Sequence, residues 1–393
     1  MGISLFQNSP SGRLVKGVGG YWAFVPSPLP PQLDFTSELV LALSDADRSL
    51  GELSGTGRTL PNPYLLIRPF LRREAVLSSR IEGTQASLSE LLAYEAQQLP
   101  ASAARRSPTS DVQEVANYVL ALEYGLDRVK SLPLSLRLIK ELHERLMHGV
   151  RGERQMPGEF RRDQNWIGPS GCSLEEATFV PPPAPEMAEA LDALEKYLHQ
   201  PSTLPPLVQV ALVHYQFEAV HPFLDGNGRI GRLLLTLMLI EKDLLRQPLL
   251  YLSAYFEKHR HEYYDLLLAV SQRGQWEGWL TFFLKGVAEQ ACDAIDRAQQ
   301  LRDLHLRYRN QFQVAHSSAL LLKLIDEIME RPFLTLADVQ ERLGITLRSA
   351  QLNMAKVQEA GIVREVTGRR RKQLFVAEEI LTVLDKPQAE KES

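Results

Sequence analysis

Twelve consecutive residues near the middle of the chain combine side chains of unusual chemical range: His221-Pro222-Phe223-Leu224-Asp225-Gly226-Asn227-Gly228-Arg229-Ile230-Gly231-Arg232. Gly226-Asn227-Gly228 precedes a helix expected to start near Arg229. Backbone N–H groups at a helix N-terminus, uncrowded by side chains, form an anion nest. Arg229 and Arg232 are three apart and share a face of that helix. Two guanidinium forks beside a nest make a polyphosphate clamp. Asp225 adds a carboxylate, and Mg²⁺ is typically held by one or two carboxylates together with phosphate oxygens. His221 is the side chain best suited to taking a proton near neutral pH. Together these residues specify a nucleotide–Mg²⁺ site with a base beside it. The natural reaction is attack of a hydroxyl on a phosphate, resting on positioning and charge stabilisation because no residue reads as a covalent nucleophile.

Taken singly, each feature has an ordinary reading: a Gly-Asn-Gly turn, a histidine at a helix end, a surface arginine. Their conjunction within one short loop carries the inference. A zinc site on His214 and His221 is the weaker alternative. The two share a helix face but lie two turns apart, roughly 10 Å along the axis, too far to grip one ion. His214 and Phe223 are therefore expected in the core, with Phe223 pinning the loop.

The elements that must position this loop are two apolar runs, Leu207–Val220 before it and Leu233–Ile240 after it. Both are apolar nearly all round, which reads as two buried helices. Pro222 cannot continue the first helix, and the glycines permit backbone conformations that most residues resist.

His221 to Arg232 resembles the signature of the Fic family, His-x-Phe-x-Asp/Glu-Gly-Asn-Gly-Arg-x-x-Arg, at every defined position. The resemblance extends to residues 64–95, to Gly158-Glu-Phe-Arg-Arg, Asn165-Trp-Ile-Gly and Val180-Pro-Pro-Pro around a substrate-docking flap, and to Ser253–Lys285. It implies an all-helical core and transfer of AMP from ATP–Mg²⁺ to a protein Ser, Thr or Tyr hydroxyl. By that resemblance His221 deprotonates the target hydroxyl and Asp225 holds Mg²⁺. Gly226, Asn227 and Gly228 cradle the α-phosphate region, and Arg229 and Arg232 bind the outer phosphates. Ser78-x-x-x-Glu82-Gly83 is similar to a second family motif, the autoinhibitory helix. A carboxylate paired with Arg232 would occupy the fork that should take the γ-phosphate. ATP would then enter with its α-phosphate misaligned. The motif fixes a pyrophosphate clamp and leaves the donor base open, so transfer of another phosphate-containing group stays an alternative.

With 393 residues there is room for two or three domains. The division expected is 1–110 for an N-terminal helical segment carrying the inhibitory helix, 111–312 for the catalytic core and 313–393 for a third unit. Hydrophobic content of 44%, charged content of 23% and a net charge of −4 suit a globular protein and exclude a general polyanion binder. Two distant cysteines, Cys172 and Cys292, argue against a disulfide framework or a cysteine zinc site. With no signal sequence and no apolar run of ~18 residues, a cytoplasmic protein without membrane contact is expected.

The fold class expected is mainly α, with a short β-hairpin flap between Asp163 and Val180 that would lend an edge strand to a target segment. Residues 1–36, rich in Pro and Gly, read as an irregular arm. A helix capped near Ser37 should end at about Leu53, before Gly55-Thr56-Gly57-Arg58 and the pair Pro61, Pro63. The helix at Tyr64–Ser79 contains Pro69, so it is either kinked there or starts near Arg68. Ser87 and Glu90 should form a capping box, and Ser135 should open a further helix. Helices are also expected over Asp111–Val129, Pro185–His199, Ser253–Gln272 and Trp276 to about Asn310.

From about His316 the pattern becomes helix, turn, helix and β-wing, that of a winged helix-turn-helix. Arg348, Gln351, Asn353 and Lys356 would face a partner from the second helix, and Arg369–Lys372 would form a basic wing tip. DNA through residues 335–376 and a protein or dimer contact are equally open, because the helix is only mildly basic and carries Glu359. Long helices with apolar faces allow a homodimer. The competing class of function is a nucleotide-sensing DNA-binding regulator.

Overall fold

The computed structural model describes residues 1–59, 64–97, 110–150, 156–169, 171–313, 319–369 and 372–386. It is mainly helical, with two small antiparallel sheets. Pro61, Pro63, the Ala101–Pro108 segment, His316, Arg370 and Arg371 lie outside the described residues.

The N-terminal arm departs from expectation. β1 (Gly12–Lys16) and β2 (Trp22–Pro26) form an antiparallel hairpin with Leu14 opposite Phe24. Gly19 and Gly20, at φ 96° and 89°, make its turn. The Pro and Gly content masked two short runs rich in β-formers. Phe6, Phe24 and Phe179 pack ring to ring, and Phe24 donates its N–H to the Val180 carbonyl at 2.9 Å. The flap lies against this hairpin. Within the flap itself the expected hairpin reduces to one bridge, Ile167 with Phe179.

α1 (Ser37–Thr59) runs six residues beyond its expected end. It lies along α11, and at Gly57 the missing side chain leaves room for Leu249. Tertiary packing overrides the glycines' poor helix propensity. Thr36, one residue earlier than expected, accepts from the Leu39 N–H. α2 (Tyr64–Ile81) starts at Tyr64 and continues through Pro69. The bond lost there is offset by burial of Leu65, Leu66, Ile67, Phe70 and Leu71. α3 (Leu88–Gln97) opens with the Ser87–Glu90 capping box. α4 (Ser110–Arg128) and α5 (Leu136–Leu146) follow, the latter capped by Ser135.

After the flap segment come α6 (Ala184–His199), α7 (Pro206–Val220) and α8 (Asn227–Glu241). α7 and α8 are buried nearly all round, as their sequences required. The helix expected over Ser253–Gln272 is divided at His259 into α9 (Ser253–Lys258) and α10 (Arg260–Arg273). α11 (Trp276–Gln313) is 38 residues long, about 57 Å by helical rise. Trp279 on α11 is fully buried, and its indole N–H donates to the Ala211 carbonyl of α7 at 3.0 Å. Trp279→Ala is expected to cost about 3–5 kcal/mol. The check is a lowered denaturation midpoint.

The C-terminal unit contains α12 (Ala319–Glu330), β3 (Phe333–Thr335), α13 (Leu336–Leu343), α14 (Leu347–Glu359), β4 (Arg364–Glu365), β5 (Leu374–Val376) and α15 (Glu378–Asp385). Its sheet order is β3-β5-β4. Thr335 and Asp338 form a capping box, and Gly344 at φ 63° makes the turn between α13 and α14. Of the polar residues on α14, Arg348, Gln351 and Lys356 are exposed. Asn353 turns inward and bonds the Ser349 carbonyl at 2.8 Å. The unit packs on α2, α3 and α11, with Arg68 of α2 paired to Glu330 at 2.8 Å.

Candidate active site

The motif loop is built around a reversal of backbone hand at the end of α7. His221 caps that helix in the left-handed region, φ 48° and ψ 61°. Gly226, at φ 81°, caps the start of α8 in the same region. Phe223 is fully buried between them and stacks on His143, with ring centroids 3.7 Å apart and planes at 4°. Asn227 fastens the turn: its Oδ1 accepts from the Phe223 N–H and its Nδ2 donates to the Phe223 carbonyl, both at 2.8 Å. The Asn227 side chain is thus spent on the loop, leaving its backbone N–H for the nest.

His143, which the sequence reading passed over, supports the loop from α5. Its Nδ1 accepts from the Gly158 N–H at 2.9 Å. The proton therefore sits on Nε2, which donates to the Asp225 carbonyl at 3.0 Å. Burial pushes this imidazole down to about 4, the bond to Asp225 opposing, so it stays neutral.

His221 has the arrangement a base requires. Its Nδ1 donates to the Glu218 carbonyl at 3.3 Å, which leaves the Nε2 lone pair free of that bond. Burial, and then the charge of Arg161, lower the imidazole to about 4 against the opposing pull of Glu218, Glu82 and Asp225. The ring is neutral at pH 7. His214 is buried, donating from Nδ1 to the Gly231 carbonyl at 3.2 Å and accepting through Nε2 from the Tyr263 hydroxyl at 2.8 Å. It is core, as expected.

The two arginines share a helix but not a partner. Arg229 turns to Glu114 of α4 at 3.2 Å and to Asp225 at 3.5 Å. Arg232, among the largest fully buried side chains, turns to the end of α2. Its Nε donates to the Ser78 hydroxyl and its Nη2 to the Ser78 carbonyl, both at 2.9 Å. Nη2 also pairs with Glu82 at 2.7 Å. Nη1 is buried with no hydrogen-bond partner among the described residues. A side chain at Gly228 would run into the Glu82 carboxylate, so that carboxylate lies over the first turn of α8. Gly83, at φ 95°, turns the chain away immediately afterwards.

Burial alone would push the Glu82 carboxyl up. The charge and hydrogen bond of Arg232, with Arg229 and His221 behind, outweigh it and hold the group below its usual range. Two further carboxyls flank the pair, neither of them anticipated. Glu218 is raised to about 7 by burial, with Arg232 opposing and Glu82 adding. Glu74, one turn before Ser78, is raised to about 7 by burial, against hydrogen bonds from Ser253 and Tyr118 and the charge of Arg232.

Asp225 fits a Mg²⁺ ligand by its donor set. Its side chain is 44% exposed, and its Oδ1 accepts from the Gly226 N–H at 2.6 Å. One carboxylate beside a phosphate nest matches a metal shared with substrate phosphates. Among the described residues no group of three His, Cys, Asp or Glu side chains is placed to hold a metal.

Comparisons with known proteins find likeness in the segments that build this loop. Residues 40–127 match the model for the Fic/DOC family N-terminal region, and residues 133–239 match the Fic/DOC family model. The chain is 34% identical over 130 residues to the protein adenylyltransferase Fic of Drosophila erecta, and 33% identical over 130 residues to that of Drosophila melanogaster. In both cases the match spans 32% of this chain and only 24% of the relative. The crystal structure of a Fic family protein from Desulfovibrio desulfuricans G20 superposes with a TM-score of 0.57 at 20% identity, covering 89% of this chain and 98% of that one. Residues 134–508 of Fic-1 from C. elegans superpose with a TM-score of 0.51 at 22% identity, covering 66% and 74%. At these identities the structural likenesses show the fold. The chain thus carries a Fic/DOC N-terminal region at residues 40–127 and a Fic/DOC domain at residues 133–239, and the motif loop lies in the second.

Proposed function

We propose that the protein transfers AMP from ATP to a Ser, Thr or Tyr hydroxyl of a protein, itself included, and that Glu82 holds the site off. The observation that carries this reading is the contact of Glu82 with Arg232 at 2.7 Å across the first turn of α8. An anion already sits where the motif's helix end and fork would receive a phosphate. The resemblance of the relatives' names, protein adenylyltransferase, supports the choice of AMP as the group transferred.

In the transfer, the Nε2 of His221 takes the proton of the incoming hydroxyl as its oxygen attacks the α-phosphorus. The bond from that phosphorus to the bridging oxygen breaks, and pyrophosphate leaves. The N–H groups of Gly226, Asn227 and Gly228 face the α-phosphate region, and Arg232 takes the outer phosphates once Glu82 has moved. Arg229, anchored by Glu114, adds its charge toward the outer phosphates. Asp225 would hold Mg²⁺, which when bound neutralises phosphate charge. Catalysis rests on placement and on charge stabilisation in a half-buried loop.

We assign the catalytic core to residues 111–312 and the winged helix to 313–393, with the inhibitory helix in 1–110. A nucleotide-sensing DNA-binding regulator is the second reading, favoured by Arg348, Gln351 and Lys356 exposed on α14. Mass spectrometry after incubating the Glu82→Gly protein with ATP–Mg²⁺ tests the first reading. A covalent increment of one AMP is expected. An increment of another mass would redefine the donor group, and no increment on self or on added lysate would favour the regulator.

A further inference from the structure

Arg161 lies two residues before Asp163, on the chain that leads into the flap and is counted with it; its side chain, 2% exposed, makes four hydrogen bonds. All go to backbone carbonyls: Nε to His221 at 2.9 Å, Nη2 to Pro182 at 2.5 Å and Val220 at 3.4 Å, and Nη1 to Asp163 at 3.3 Å. Its own N–H donates to the Pro222 carbonyl at 2.9 Å. A guanidinium sealed from water with only neutral acceptors is costly, and burial lowers it to about 10, with Tyr21 opposing. The negative end of α7 offsets part of that cost.

What the arginine holds is a strained residue. A non-glycine residue in the left-handed region is strained, and such strain persists where the surroundings over-determine it. His221 is in that region. Its carbonyl accepts from two flap side chains, Arg161 and Asn165, the latter at 3.2 Å. Asn165 Nδ2 also donates to the Phe223 carbonyl at 2.8 Å. The flap therefore grips the backbone on both sides of Pro222.

We propose that Arg161, with Asn165, is a positioning residue for His221: the flap side chains clamp the carbonyls at the end of α7 and set where the imidazole points. The proposal deepens the reading of His221 as the base and rests on it. It also gives the flap a task apart from docking a target, since any shift of residues 161–165 is transmitted to the base. The charged groups facing His221 are Arg161 from the flap, Glu82 from the end of α2 and Asp225 from the motif loop, with the Glu218 carbonyl on its own helix. Arg161 is the cation among them that opposes protonation most.

The charge and the fork are separable by substitution. In the Glu82→Gly background, Arg161→Lys keeps the charge and loses the fork. Its kcat should fall by about tenfold or more, the scale of a misplaced catalytic group, with KM for ATP nearly unchanged and the acid limb of the rate profile in place. Arg161→Met should lose kcat and move that limb to higher pH. Asn165→Ala, a smaller perturbation, should lower kcat with the limb unmoved. NMR titration of the His221 imidazole should show a higher midpoint in Arg161→Met than in the parent, with or without turnover. Parental kcat in both Arg161→Lys and Asn165→Ala would overturn the positioning role, and an unchanged His221 titration in Arg161→Met would overturn the influence of the Arg161 charge on the base. If the parent itself transfers nothing, the proposed function fails while the NMR titration still decides what Arg161 does to His221.

Discussion

Glu82→Gly should raise self-modification with labelled ATP by about tenfold or more over the unsubstituted protein. The contact removed is a charge-assisted hydrogen bond to an arginine that is itself fully buried. Hydrogen bonds to charged groups contribute about 1.5–3 kcal/mol. The Glu82 side chain is 35% exposed, so solvent screening argues for the lower end of that range. About 1.4 kcal/mol corresponds to a factor of ten in the population of the open site, and hence in rate. The substitution leaves Arg232 its two bonds to Ser78, so the guanidinium stays oriented and the fold should survive. Ser78→Ala should act differently, removing only the hydroxyl acceptor of the Arg232 Nε while leaving the carboxylate over the nest. Equal initial rates for Glu82→Gly and the unsubstituted protein, at saturating ATP–Mg²⁺, would show that this contact does not limit transfer.

Which parts of this site the sequence displayed follows from how local each signal is. The motif loop was legible because its chemistry is compressed into His221–Arg232 and framed by helices whose apolar pattern is unambiguous. The pairing of Glu82 with Arg232 was legible once Glu82 had a defined partner to meet. The supporting residues were not. Arg161, His143, Glu114 and Glu218 are scattered over four segments, and nothing in their local spacing distinguishes a buried, bonded side chain from a surface one. Arg229 shows the limit of the spacing argument. Three residues from Arg232, it shares the helix face as read, yet Glu114 on α4 claims it. Asn227 adds a role that spacing does not display: read for its backbone N–H, it also commits its side chain to Phe223.

The fold repeats the lesson. Long buried helices and the capped starts at Ser87 and Ser135 lay where pattern and cap residues put them. The errors fall where tertiary contacts decide: the extension of α1 along α11, the break at His259, and the β1–β2 hairpin hidden in a Pro- and Gly-rich arm. That hairpin matters for function because it backs the flap through Phe24 and Phe179, and through the Tyr21 hydroxyl bonded to Gln164 at 2.9 Å. A chain of contacts therefore runs from the arm through residues 161–165 to His221.

Replacing His221 should have the largest effect on transfer, a loss of about 10²–10⁴-fold, the usual contribution of a positioned general base. The choice of substitution decides what the experiment means. His221 sits at φ 48°, where alanine pays a steric penalty and asparagine much less. His221→Ala alone would mix lost chemistry with a relaxed loop, because the carbonyl that Arg161 and Asn165 hold would shift with the backbone. His221→Asn keeps the left-handed turn and removes the proton acceptor. Both variants, placed in the Glu82→Gly background, should lose transfer to a similar degree while nucleotide affinity measured by calorimetry stays within a few-fold, since the nest and Arg232 belong to α8. Retained transfer in His221→Asn would mean that the hydroxyl is activated by another group. Glu218 is then the candidate, because its buried carboxyl, raised to about 7, remains in the Glu82→Gly background and interacts electrostatically with Arg232. A loss of nucleotide binding in both variants would instead assign His221 to the binding of ATP. The two outcomes separate because the imidazole is held on the α7 side of the turn and the phosphate-binding groups on the α8 side, with buried Phe223 between them.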